Sequence, residues 1–290
     1  MQKIGASELI INSDGSVFHL HIRPEELADK VILVGDPARV DMVASFFTKI
    51  EFRRVSREFV TITGEYNGKR ITVLSTGIGT DNIDIVVNEL DALVNIDFNT
   101  REIKEDKKSL TILRIGTCGA IQPNIPIGSF IFSHISVGCD GLLNWYENRD
   151  EITIKDMESA FVEFTNWNKY LPLPYFVKAS DKLIELFKDV TVKGVTISAS
   201  GFYGPQGRVL RVPLAMPDMV KNFEEFEFNG YKITNFEMEG SALAGLSKKL
   251  GHNAGTVCCA IANRYHKGAS PDYKPMVKEL VKLSLDKLTA

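Results

Sequence analysis

Six short runs rich in Val and Ile punctuate the chain: "KVILVG" (30–35), "RITVLSTG" (70–77), "LTILRIG" (110–116), "SFIFSHISVG" (129–138), "GVTISAS" (194–200) and "GTVCCAIA" (255–262). Continuous apolar strands of this kind suit a sheet covered on both faces, where alternation is not needed. Between them the apolar spacing changes to the helical period. In "DNIDIVVNELDALVN", Ile83, Val86, Val87, Leu90, Leu93 and Val94 fall on one face, with Thr80 or Asp81 placed as N-cap. "EMEGSALAGLSKKLG" predicts a second helix, with lysines in its last turn and Gly251 as its C-cap, and "KPMVKELVKLSLDKLTA" a third. Strands alternating with helices predict a three-layer α/β/α fold, a central mixed β-sheet flanked by helices. Neither an internal repeat nor a low-complexity linker divides the chain. The 290 residues read as a single domain, with 140–175 as a variable elaboration.

Composition narrows the function classes. Hydrophobic residues make up 44% and charged residues 24%, as in an ordinary globular protein, and the formal charge of −3 gives nucleic acid or an anionic membrane no electrostatic reason to bind. No apolar run reaches the roughly 18 residues that span a bilayer. "MQKIGASELIINSDGS" lacks a secretory signal, and the four cysteines (Cys118, Cys139, Cys258, Cys259) have no CxxC spacing, so a cytoplasmic location is expected. His21, His134, His252 and His266 show no zinc-ligand spacing. Cys118 has no base beside it in sequence and reads as a packing residue.

The glycine turns invite nucleotide motifs, which fail. "GEYNGKR" is one residue short of a P-loop and carries Arg70 where a Ser or Thr should stand; "GIGTDN" has Asn82 in place of a third glycine. Three turns combine better. "GDPARV" offers Gly35 and Arg39, "STGIGT" offers backbone N–H groups ahead of a helix, and "RIGTCGA" offers Arg114 and the Thr117 hydroxyl. Together they make a cradle for a tetrahedral oxyanion. Arg114 poses the sharpest question, because a charge near the end of a buried strand needs a partner, either an acid of the protein or an outside anion. In "NFEMEGS", Glu237 and Glu239 could serve acid–base work, dress a helix start, or accept hydrogen bonds from the vicinal hydroxyls of a sugar.

The motifs "VFHL", "GDPARV", "SREF", "STGIG", "RIGTCGA", "GFYGPQGR", "FEMEGSAL" and "IANR" stand in the order found in nucleoside phosphorylases. From Phe18 to Arg264 the chain resembles the purine nucleoside and uridine phosphorylase superfamily, and "FYGPQGR" with "IANR" looks like its uridine phosphorylase branch. The resemblance implies reversible phosphorolysis of uridine to uracil and ribose 1-phosphate. Gly35, Arg39, Arg114 and Thr117 match phosphate-binding positions, and Arg57 matches an arginine reaching a neighbouring subunit's phosphate. His19, Glu237, Met238 and Glu239 match ribose contacts, His19 from across a dimer interface. Phe202, Gln206, Arg208 and Arg264 match the uracil pocket. Arg114, Gln206, Arg208 and Glu239 are therefore the expected catalytic group.

The purine branch carries an Asp where this chain has Asn263 and Arg264, which points to a pyrimidine. The resemblance further implies no organic cofactor, inorganic phosphate as co-substrate, and a monovalent cation (K+) near Glu58, Ile71 and Ser75 at a dimer interface. It also implies a homodimer or trimer of dimers with shared sites. Three alternatives stay open: a purine nucleoside phosphorylase, a nucleoside hydrolase of the same superfamily, and a non-catalytic nucleoside-binding protein.

Overall fold

A computed structural model describes residues 3–290. Eleven strands form the main sheet: β1 (Lys30–Val34), β2 (Lys49–Ser56), β3 (Phe59–Tyr66), β4 (Lys69–Ser75), β5 (Thr111–Ala120), β6 (Phe130–Gly138), β7 (Tyr175–Lys178), β8 (Val192–Ser198), β9 (Asn235–Glu237), β10 (Asn253–Asn263) and β11 (Gly268–Ala269). All six apolar runs are strands of it. The helices are α1 (Pro37–Ala44), α2 (Thr80–Asn95), α3 (Lys155–Phe164), α4 (Asp181–Phe187), α5 (Met219–Glu225), α6 (Gly240–Leu250) and α7 (Lys274–Thr289). One core cluster joins α2 and α6 to the sheet through Val86, Leu90 and Leu243; another joins α1, α4 and α7 to it through Val40, Leu183 and Leu285. Helices thus cover both faces, as the strand composition required.

Part of the sheet closes on itself, which apolar periodicity does not reveal. The order runs β11-β10-β6-β8-β9-β5-β1-β4-β3-β2, and β10 also pairs with β5. Strands β10, β6, β8, β9 and β5 therefore form a closed ring, while β1 to β4 extend from it as an open sheet. Closure needs bending, and register shifts at Gly194/Val195 and at Ala260/Ala262 supply it.

The predicted helix ends differ by one detail. Gly251 is the left-handed C-cap of α6 at φ 80°, as expected. The N-cap of α2 is Gly79 rather than Thr80 or Asp81. Its φ of 102° lies where only glycine is comfortable, so backbone geometry decided the boundary over capping preference. The 140–175 elaboration contains α3 and packs onto α5 through Phe161, Trp167 and Phe223.

Candidate active site

The cavity of about 730 Å³ lies where several strands end, the usual place for ligands of open α/β sheets. Strand β1 runs into Gly35, whose neighbours Asp36 and Pro37 start α1. The Asp36 side chain accepts the Ala38 N–H, so the Gly-Asp-Pro sequence is a helix start that turns Arg39 toward the cavity. Strand β4, beside β1, leads into Gly77 and Ile78, which lie next to Gly35, and β5 contributes Arg114 and Thr117. Gly35, Arg39, Arg114 and Thr117 therefore line one space.

Arg114 has partners within the protein. Its Nη1 lies 3.1 Å from Glu237, its Nη2 bonds Glu239, and its side chain is 6% exposed. Burial by itself would lower the pKa of the guanidinium, but Glu239 and Glu237 outweigh it and raise the pKa, so the cation persists. The ion pair carries one positive charge against two carboxylates, and Arg114 still borders the cavity.

The two glutamates differ in what they have left to offer. Glu237 accepts the Glu239 N–H at 2.9 Å, the Gly240 N–H at 2.9 Å and the Ser198 hydroxyl, so from the end of β9 it takes up free N–H groups at the start of α6. Glu239 accepts the Gly79 N–H at 2.8 Å besides Arg114. Burial pushes the Glu239 carboxyl above its ordinary range, against the pull of Arg114. A desolvated, rigidly aimed carboxylate at a cavity wall is well placed to take hydroxyl hydrogens.

The far wall is built by the 200–208 turn. Gln206 is buried, and Arg208 donates to Gln206 Oε1 at 2.6 Å while its guanidinium stacks 3.8 Å from the Phe202 ring centroid. Phe202, Gln206 and Arg208 all line the cavity. Arg264 does not; its guanidinium donates to the carbonyls of Gln206 and Gly207 and so buttresses the turn. Burial, and then the neighbouring Arg264, push the Arg208 guanidinium below its ordinary range, and burial does the same to Arg264. A cationic wall of this kind suits an anionic leaving group.

His19 and Arg57 stand apart from this cavity. The His19 Nδ1 lies 2.6 Å from Glu89, whose carboxylate also accepts the His19 and Leu20 N–H groups. A carboxylate only accepts, so Nδ1 is the donor in this contact. Arg57 occupies the left-handed region at φ 54° in the tight β2–β3 turn, with its guanidinium 5.6 Å from the Phe18 ring. Phe18, His19 and Arg57 thus form one group of their own. The Ser75 hydroxyl donates to the Glu58 carbonyl at 2.6 Å beside that turn, while Ile71 is buried four residues earlier on β4, opposite Gly64. Among the described residues no three His, Cys, Asp or Glu side chains are grouped to hold a metal ion.

Sequence reasoning did not name Ile78, Ile261, Ala262, Ala269, Ser270 and Tyr273, which complete the cavity wall. They lie in the turn before α2 (Ile78), at the end of β10 (Ile261, Ala262), and from the end of β11 to the start of α7 (Ala269, Ser270, Tyr273), and as single residues carry no chemical signature in sequence.

This geometry has counterparts in known proteins. A family model described as "Phosphorylase superfamily" matches residues 29–288, and the chain belongs to that family. The chain is 32% identical to the uridine phosphorylase of Escherichia coli over 264 residues, covering 87% of this chain and 88% of that one. It is 30% identical to the uridine phosphorylase of Thermococcus kodakarensis over 267 residues, 91% and 83% of the two chains. The fold superimposes with a TM-score of 0.88 on a Trypanosoma brucei nucleoside phosphorylase described as showing uridine phosphorylase activity, at 31% identity over 97% of this chain and 99% of that one.

Proposed function

We infer that this chain is a uridine phosphorylase, catalysing reversible phosphorolysis of uridine to uracil and ribose 1-phosphate. One observation carries the reading: a single cavity is bordered by the oxyanion cradle of Gly35, Arg39, Arg114 and Thr117, by the Glu239 carboxylate, and by Gln206 with Arg208. These are the three things the reaction needs, in one place. A phosphate oxygen bonds C1′ of the ribose as the C1′–N1 bond breaks and its electron pair leaves with uracil. The sugar passes through a cation-like state and the base departs as an anion. No protein nucleophile is required. The chain holds phosphate, fixes the sugar hydroxyls on Glu239 with Met238 beneath, and stabilises charge growing on the base.

Phe202 packs on the ring, Gln206 reads its polar edge, and Arg208 supplies a cation beside it, with Arg264 supporting the turn from outside. Glu237 acts through Arg114 and Glu239. His19 and Arg57, which are not among the residues lining their own chain's cavity, serve the neighbouring subunit, so the functional unit is at least a homodimer, with a trimer of dimers as the larger assembly. A monovalent cation sits by Glu58, Ile71 and Ser75 in that assembly; no organic cofactor takes part. No described helix is long and apolar enough to cross a membrane. The enzyme works in the cytoplasm on small molecules.

Comparing uridine with inosine at one phosphate concentration tests the base assignment. Preferential uridine cleavage is expected; preferential inosine cleavage would place the enzyme in the purine branch and reassign Gln206 and Arg208.

A further inference from the structure

Ser198 lies at the end of β8 and is fully buried, yet it joins two halves of a hydrogen-bond chain that reaches the sugar-holding carboxylate. It faces Glu237 in register across the β8–β9 pair, and its hydroxyl donates to Glu237 Oε1. The Ser198 Oγ in turn accepts the Ser241 N–H at 2.8 Å. The one hydroxyl hydrogen is thus committed, and it is aimed by the first turn of α6. Glu237 in turn takes the N–H groups of Glu239 and Gly240 and faces Arg114 at 3.1 Å.

The other half runs outward. The Ser241 hydroxyl donates to Asp140 Oδ2 at 2.8 Å, and the Tyr175 hydroxyl donates to the same carboxylate at 2.9 Å. Asp140 and Tyr175 are the two ends of the 140–175 elaboration, so both of its anchors meet on the helix turn that follows Glu239. Gly138 leaves the space that Tyr175 fills, since a Cβ there would stand 2.1 Å from the tyrosine ring.

We propose that Ser198 is a positioning residue for the reaction: it holds Glu237, and through Glu237 the backbone of Glu239 and the Arg114 guanidinium, so that Glu239 meets both vicinal hydroxyls of the ribose. The inference rests on the uridine phosphorylase reading. Removing the hydroxyl leaves Glu237 short of one donor and Ser241 N–H short of its acceptor, in a region without water access, and frees the α6 start to shift. Misplacement of a binding group by about an ångström costs on the order of 10²-fold in rate.

The test compares uridine with 2′-deoxyuridine in the full-length oligomer, using Ser198→Ala and, should that variant fold poorly, the space-filling Ser198→Cys. Because deoxyuridine lacks the 2′-hydroxyl, it has less to lose from a displaced Glu239. The expected result is a fall of roughly 10-fold to 100-fold in kcat/KM for uridine, a clearly smaller fall for deoxyuridine, and hence a reduced uridine preference. A merely structural role would reduce the active fraction and lower both substrates alike. An unchanged ratio in either folded variant overturns the inference while leaving the parent reading intact. Failure of the unmodified chain to cleave uridine with phosphate would overturn that reading and this inference together.

Discussion

Replacing Gly116 by Ala is the perturbation most sharply defined by the site. Gly116 lies two residues past Arg114 on β5, on the same face of the strand. Its φ is outside the left-handed region, so alanine fits the backbone. Space is the obstacle: a Cβ at Gly116 would stand 2.4 Å from Arg114 Nη1, 3.2 Å from its Cζ and 3.0 Å from Cys258 Sγ. An ordinary contact at about 3.4 Å requires the guanidinium to move by ~1 Å. A long side chain usually swings aside at little cost. Here it is buried and held by Glu237 and Glu239, so the movement loosens at least one carboxylate.

Full loss of a partner in a buried ion pair costs about 3–5 kcal/mol, and partial loosening on the order of 1–3 kcal/mol. That corresponds to a melting temperature several degrees lower. Activity suffers more, because Arg114 and Glu239 both border the cavity: kcat/KM for uridine should fall on the order of 10²-fold. Steady-state kinetics at saturating phosphate with a thermal melt of the same sample measures both. A Gly116→Ala enzyme within about twofold of the unmodified one, melting at the same temperature, would show that Arg114 is not clamped and refute the reasoning.

Further outcomes follow from the same geometry. Glu239→Gln keeps the shape but loses the charge, and should lower kcat/KM for uridine by roughly 10-fold to 100-fold, read by progress curves. Because burial raises the Glu239 pKa, and the proposed role in holding the sugar needs its ionised form, activity should fall with decreasing pH through a limb above the ordinary glutamate value of about 4.3. The linked stability has the opposite sense. A group that binds its proton more tightly in the fold than in the unfolded chain favours the fold at low pH, and that contribution declines as pH rises through the window between the two values. A pH–rate profile with its acid limb at or below the ordinary value would mean that Arg114, not burial, dominates. If Arg57 serves the neighbouring site, Arg57→Ala and Gln206→Ala are each inactive alone. Co-refolded in equal amounts as dimers they recover about a quarter of the sites, because each mixed dimer contains one intact site; no recovery would place Arg57 in its own subunit's site or outside catalysis.

Sequence and structure agree where local chemistry decides. The six Val- and Ile-rich runs are strands because covered sheets demand continuous apolar faces, and Gly251 caps α6 because only a left-handed residue ends that helix. Gly35, Arg39, Arg114 and Thr117 could be grouped from sequence because each belongs to a glycine-containing run at an apolar strand; in the fold Gly35 and Arg39 follow β1, and Arg114 and Thr117 stand within β5, its parallel neighbour. What sequence could not convey depends on distant pairing. The double pairing of β10 with β5 and β6 closes the ring, and no periodicity encodes it. The commitment of Arg114 to two glutamates 123 and 125 positions away belongs to the same class, as an arginine motif reads alike with acid or anion as partner. Ser198 was hidden for a related reason: a buried serine in an apolar strand carries no signal until the α6 start is set against it.

The central claim is that phosphate, not water, takes the ribose from uracil in the cavity bordered by Arg39, Arg114 and Thr117. Uridine cleavage followed by ultraviolet absorbance, with and without inorganic phosphate and with the sugar product identified, tests it directly. The account predicts uracil and ribose 1-phosphate in equal amounts only when phosphate is present. Free ribose formed at the same rate without phosphate would contradict it.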